Sequence, residues 1–310
     1  MRRVRYHENG GPEVLRVEET EAPRPGPGEL LVRAEAIGVT LPVVRKVREG
    51  GMPLPASLGG EVAGEIVAVG PEVTEFAVGE RVTGLCFGDG YADFALLHTA
   101  MASRIPDGAT PADAVALVRC GLVALGAYEA ARPAEGESVL VTGAASGVGH
   151  LAVQLAKARG AGRVVAAVGS AAKAEFVRSL GADEVVTYDE ASWGDPVDIA
   201  LDAVGGELLS PCLAALAPGG RLVTYSSGGG TLQAYDLLVG AKSAIGFQMA
   251  LIARNQPALM EQWRQELWEL FVAGRLRPHV HAELPLEDAA KAHEIIESRT
   301  NQGKVILRPA

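Results

Sequence analysis

The chain has 310 residues, 48% hydrophobic and 21% charged, which excludes a disordered protein and, at roughly 150 residues per domain, predicts two domains. Its 28 basic against 38 acidic residues give a net charge of −10, the wrong sign for a surface that tracks nucleic acid. No apolar run reaches the roughly 18 residues of a membrane span, and the opening Met1-Arg-Arg-Val-Arg-Tyr-His7 lacks the apolar stretch of a signal peptide, so a cytoplasmic protein without a membrane partner is expected.

In chain order, the first 120 residues are predicted as short strands broken by glycine and proline, with Leu30–Ile37 and Glu61–Val69 strand-like and Pro23–Gly28 a turn or loop. From about Glu137 strands alternate with helices: Val139–Thr142, then a helix over Val148–Arg159, then Arg163–Val168, then a helix over Lys173–Leu180. Val185–Tyr188, Val197–Leu201 and Arg221–Tyr225 continue the strands, with a helix near Glu207–Leu216. Such alternation predicts a doubly wound parallel sheet. A helix over Pro257–Val272 is expected to bridge the domains, followed by strand His279–Leu284, helix Leu286–Glu297 and strand Gly303–Leu307, in the style of the first domain. The predicted division is 1–118 with 257–310, and 119–256.

Cys86, Cys120 and Cys212 are odd in number and far apart, so no disulfide framework is expected. His279 and His281 share a strand face, but two ligands do not make a zinc site. The informative stretch is Val139-Leu-Val-Thr-Gly-Ala-Ala-Ser-Gly-Val-Gly149, a strand, a turn of small residues and a helix start. There, backbone N–H groups and the helix dipole would meet a pyrophosphate. No G-K-[ST] follows, which argues against a nucleotide triphosphatase. The second strand ends in Gly169-Ser170-Ala-Ala-Lys173 where an NAD site carries an acid, so the hydroxyl and ammonium favour a 2′-phosphate and hence NADPH.

These residues resemble the zinc-independent quinone oxidoreductases, the ζ-crystallin-like branch of the medium-chain dehydrogenases/reductases. The likeness runs through Leu58–Gly70, Val78–Val82, Gly90-Tyr-Ala-Asp-Phe94, Gly143–Gly149 and Gly303–Leu307. It implies an α/β architecture of a GroES-like β domain plus a Rossmann domain, with the active site in the cleft between them. It also implies that Ser146, Gly147, Val148 and Gly149 hold the pyrophosphate, that Ser170, Lys173 and Tyr188 hold the 2′-phosphate, that Gly169 and Val204 belong to the cofactor site, and that Phe247 lies near the nicotinamide. Zinc-dependent relatives place ligands at positions that here are Thr40, Gly60 and Cys120, so no metal is expected. The segment Thr40-Leu-Pro-Val-Val-Arg45-Lys46-Val47-Arg48 departs from the family, as does Val123.

The resemblance implies hydride transfer from NADPH to a quinone or an α,β-unsaturated carbonyl. Thr40 and Arg45 are the candidate donors to the developing oxyanion, and Tyr91 the candidate proton donor or cleft wall. The altered segment keeps a second reading, an NADPH-binding structural or regulatory protein with little turnover. Ser243–Phe247 is predicted to be an apolar edge strand, which suggests a homodimer.

Overall fold

A computed structural model describes residues 1–86, 88–225 and 228–309. Its contacts form two units, Met1–Arg119 with His279–Ala310, and Cys120–Pro278. The first unit contains strands β1 (Arg2–Tyr6), β2 (Arg16–Glu19) and β3 (Glu29–Val39), helix α1 (Leu41–Glu49), and strands β4 (Ala56–Ser57), β5 (Gly60–Val69), β6 (Arg81–Cys86), β7 (Phe94–His98) and β8 (Ala102–Arg104). Helix α2 (Pro111–Ala130) carries the chain from the first unit into the second.

The second unit alternates β9 (Ser138–Thr142), α3 (Gly149–Ala158), β10 (Arg163–Val168), α4 (Ala174–Ser179) and β11 (Glu184–Thr187). It continues with β12 (Val197–Asp202), α5 (Leu209–Ala214), β13 (Leu216–Thr224), α6 (Ala234–Val239), β14 (Ser243–Gly246), α7 (Met249–Asn255) and α8 (Pro257–Val272). The chain then returns to the first unit with β15 (Val280–Pro285), α9 (Ala289–Glu297) and β16 (Lys304–Arg308).

Among the described residues, the second unit's sheet is six-stranded, ordered β11-β10-β9-β12-β13-β14 with every neighbouring pair parallel. This is the Rossmann order, and it reverses between β9 and β12. Its strands read as apolar runs because helices cover both faces: Leu140, Val165, Ala200 and Leu222 are fully buried. The first unit's main sheet runs β15-β16-β3-β5-β6-β8, with β7 also paired to β3. Its core gathers Tyr6, Ile37, Val62, Tyr91, Val305 and Leu307.

Three expectations change. The segment after Thr40 is a helix: Thr40 is extended at φ −136°, its carbonyl accepts from Val43 and Val44 N–H at 3.1 Å, and Gly50 at φ +86° ends the turn. Helix α8 belongs to the second unit, where Leu267 packs over Gly121 and Trp263 over Gly126, so residues 257–278 do not go with the first domain. Helix α2 is long and apolar enough to cross a membrane by length and composition, but 78% of its apolar window is buried, as in a core helix.

Candidate active site

The strand order reverses between β9 and β12, and in sheets of this kind ligands bind beyond the carboxyl ends of the strands at that point. After β9, Gly143 turns at φ +58° and α3 begins at Gly149. A Cβ at Gly149 would lie 2.0 Å from the Gly143 carbonyl oxygen, so only glycine lets the helix start this close to the strand. Ser146 closes the turn: its N–H donates to the Gly143 carbonyl at 2.8 Å and its Oγ accepts from Gly149 N–H at 3.0 Å. Its hydroxyl is therefore engaged within the turn. The N–H groups of Gly147 and Val148 make no hydrogen bond among the described residues and sit half-buried at the helix N-terminus, as donors to a pyrophosphate must.

Beyond β10, Gly169 and Ser170 are exposed, and Ser170 Oγ accepts from Ala172 N–H at 3.3 Å, capping the short turn Ala171–Lys173. Lys173 follows, half-buried, immediately before α4. Tyr188, just after β11, lays its ring beside Gly169, and its hydroxyl accepts from Gly143 N–H at 2.8 Å. One phenol thus links the phosphate turn to the end of β10. The neighbouring acids Asp189 and Glu190 take the Thr187 hydroxyl at 2.6 and 3.0 Å, which turns their carboxylates back toward β11. The stretch after β10, Gly169 to Lys173, thus carries a serine and a lysine and no acid.

On the other side of the reversal, Val204 packs 3.5 Å from where a Gly143 Cβ would stand. Phe247, after β14, is half-buried and tilts over Trp263 with ring centroids 6.5 Å apart, against Gly126 of α2. Asp202, the last residue of β12, is fully buried and lies outside the residues expected from the sequence. It accepts from Thr142 Oγ1 at 2.8 Å and from the N–H groups of Val204 and Gly205. The available signal was an acid closing an apolar strand, Leu201-Asp202-Ala203, where burial without donors would be prohibitive.

In the first unit, Thr40 is half-buried at the N-cap of α1 with no side-chain capping bond, and Arg45 is half-buried one turn on. Arg48 is exposed and paired with Glu297 of α9 through two hydrogen bonds of 2.8 and 2.9 Å. Tyr91 does not fit its expected role. It is wholly buried, its ring meets His293 edge-on at 5.8 Å, and its hydroxyl lies 3.3 Å from His293 Nε2. Burial drives the phenol well above its ordinary pKa and lowers that of His293 to about 4, so Tyr91 is a packing residue.

Close to Thr40 in the β3 ladder, Glu61 is buried between Lys304, which it hydrogen-bonds, and Arg119 at 2.9 Å. Burial raises its pKa, but the two cations hold it below the usual carboxylate range. A Cβ at Gly38 would fall on this pair, 2.2 Å from Glu61 Oε2, which explains the glycine there.

Residues 26–107 match the alcohol dehydrogenase GroES-like domain family, and residues 180–307 match the zinc-binding dehydrogenase family. A quinone oxidoreductase of Pseudomonas aeruginosa is 31% identical over 99% of this chain and 99% of its own. The chain belongs to the zinc-independent quinone oxidoreductase family. Among solved structures, a mycobacterial protein complexed with NADPH superposes with a TM-score of 0.93 at 31% identity, covering 100% of both chains. The Escherichia coli quinone oxidoreductase, also complexed with NADPH, gives 0.90 at 29% over 100% of both.

For this quinone oxidoreductase family member, the positions expected from the resemblance to match zinc ligands are Thr40, Gly60 and Cys120. Cys120 is buried, and a Cβ at Gly60 would press on the Gly38 carbonyl at 3.3 Å and the Tyr91 ring at 3.4 Å. Among the described residues no three His, Cys, Asp or Glu side chains group as a metal site.

Proposed function

We propose that the protein transfers hydride from NADPH to a quinone or an α,β-unsaturated carbonyl without a metal. The observation that carries this is the strand-order reversal of the second unit: a turn with unengaged Gly147 and Val148 N–H groups, near a β10 end that carries Ser170 and Lys173 and no acid and is linked to the turn by Tyr188. The first feature suits any dinucleotide, and the second suits one carrying a 2′-phosphate. Full-length similarity to quinone oxidoreductases, and to two relatives solved with NADPH, supports the same choice.

When bound, NADPH supplies the hydride. The Ser146–Gly149 turn would hold the pyrophosphate and Ser170, Lys173 and Tyr188 the 2′-phosphate, with Gly169, Val204 and Phe247 as further cofactor-binding residues. Reduction of the acceptor places negative charge on its oxygen, and the Thr40 hydroxyl and Arg45 guanidinium donate to it. The decisive experiment follows NADPH absorbance with a panel of quinones and enones. Turnover on at least one acceptor is expected. Tight NADPH binding with no turnover across the panel would favour a structural or regulatory NADPH-binding protein, and absence of binding would overturn both readings.

We also propose that the protein is a homodimer. β14 is the edge of the six-stranded sheet, and the flanking helices leave Tyr235, Leu238, Val239 and Leu251 exposed. An open edge lined by apolar side chains matches its own copy across a two-fold axis.

A further inference from the structure

We infer that Asp202 is the positioning residue of the dinucleotide crevice, fixing the distance between the phosphate turn and the Val204 wall. The inference rests on the crevice being the NADPH site. Asp202 is completely buried, and a carboxylate there is stable only if donors fill its lone pairs. They come from three directions. Thr142 at the end of β9 gives its hydroxyl to Oδ1 at 2.8 Å, and Thr224 at the end of β13 gives its hydroxyl to Oδ2 at 3.3 Å. The turn after β12 gives Val204 N–H at 3.1 Å and Gly205 N–H at 3.2 and 3.0 Å to the two oxygens.

Two geometric consequences follow. Thr142 immediately precedes Gly143, and its hydroxyl also accepts from Ala203 N–H at 3.0 Å, so the start of the phosphate turn and the residues after β12 are tied through one side chain. Gly205 and Gly206 follow at φ +75° and +62°, a turn without regular strand pairing that the carboxylate holds at its base. Because the Val204 and Gly205 N–H groups face inward to Asp202, they are withdrawn from the ligand, and pyrophosphate recognition falls to the Gly147 and Val148 N–H groups. A ligand that must touch both walls binds well only when their separation is set beforehand.

The experiment measures NADPH dissociation constants and steady-state kinetics for the intact protein and for Asp202→Asn, Thr142→Val and Thr142→Ser. Asp202→Asn turns an amide toward a donor, and Thr142→Val deletes both hydroxyl contacts; each should weaken NADPH at least about tenfold, the loss appearing in KM for NADPH rather than in kcat. Thr142→Ser restores the hydroxyl and should bring affinity back to within about twofold. If Asp202→Asn does not fold, the Thr142 pair alone decides. Lowered melting temperatures with unchanged NADPH affinity would overturn the inference and leave the proposed function standing. Failure of the unmodified protein to bind NADPH would overturn both.

Discussion

The proposed 2′-phosphate site makes Lys173 the residue to test for cofactor choice, since it follows Ser170 at the end of β10, where Tyr188 lies against Gly169. Binding of NADPH should exceed that of NADH by at least about tenfold, and Lys173→Glu, which sets a carboxylate against the 2′-phosphate, should erase or reverse that ratio in titrations with both cofactors. Arg45 tests the acceptor side. Removing one oxyanion donor costs on the order of 2.7–4 kcal/mol, so Arg45→Ala should lower kcat/KM about a hundredfold while NADPH affinity holds. A change under about threefold would remove Arg45 from the mechanism. His293 bears on stability. It is buried against Tyr91 with a pKa of about 4, below its ordinary 6.5, so the native state favours neutral imidazole. Its contribution is present above the unfolded pKa and is lost as pH falls from about 6.5 toward 4, on the order of 3 kcal/mol over that window. The stability gap between the unmodified protein and His293→Gln, measured by urea unfolding, should therefore narrow as pH falls through this window.

At the scale of elements, the proposed dimer rests on β14 and α6. β14 pairs with β13 on one side only, and Leu238 and Val239 of α6 are 74% and 70% exposed. Ala244→Pro removes a backbone donor from the free edge of β14, since strand alternation points the Ile245 and Phe247 N–H groups to β13, and Leu238→Glu charges the helix beside it; both should give monomers by light scattering at micromolar concentration. A monomeric unmodified protein would refute the dimer. The elements also differ in how openly they announced themselves. Pro257–Val272 was legible to the residue because Trp263, Leu267 and Leu270 recur at helical spacing and are all buried. α1 was hidden because Val43, Val44 and Val47 favour strands by propensity, and only Thr40 and Gly50 as caps, with Val44 and Val47 buried, draw the segment into a helix. α2 was missed because it is apolar on nearly every face and so carries no amphipathic period.

For the whole molecule, independence from metal is the broadest expectation that the sequence raises. With Thr40 and Gly60 at two of the three ligand positions, prolonged treatment with a chelator should leave both rate and melting temperature unchanged. Stoichiometric zinc lost together with activity would contradict this. The acidic balance of −10 does not oppose an anionic cofactor, because binding depends on local donors at the crevice rather than on net charge.

The alternation of apolar strands and helices after Glu137, the small residues from Gly143 to Gly149 and the missing acid after β10 determined by themselves a Rossmann sheet and a crevice suited to a 2′-phosphate, since these features depend on local periodicity and on which residue follows which strand. Tertiary structure alone decided the rest. It sent Tyr91 into a core against His293, gave α8 to the second unit, and placed Thr142, Asp202 and Thr224 at the ends of three adjacent strands. Hydrogen bonds between residues 60 positions apart, such as Thr142 to Asp202, follow from strand order and register, and these become defined only when the sheet closes its ladder.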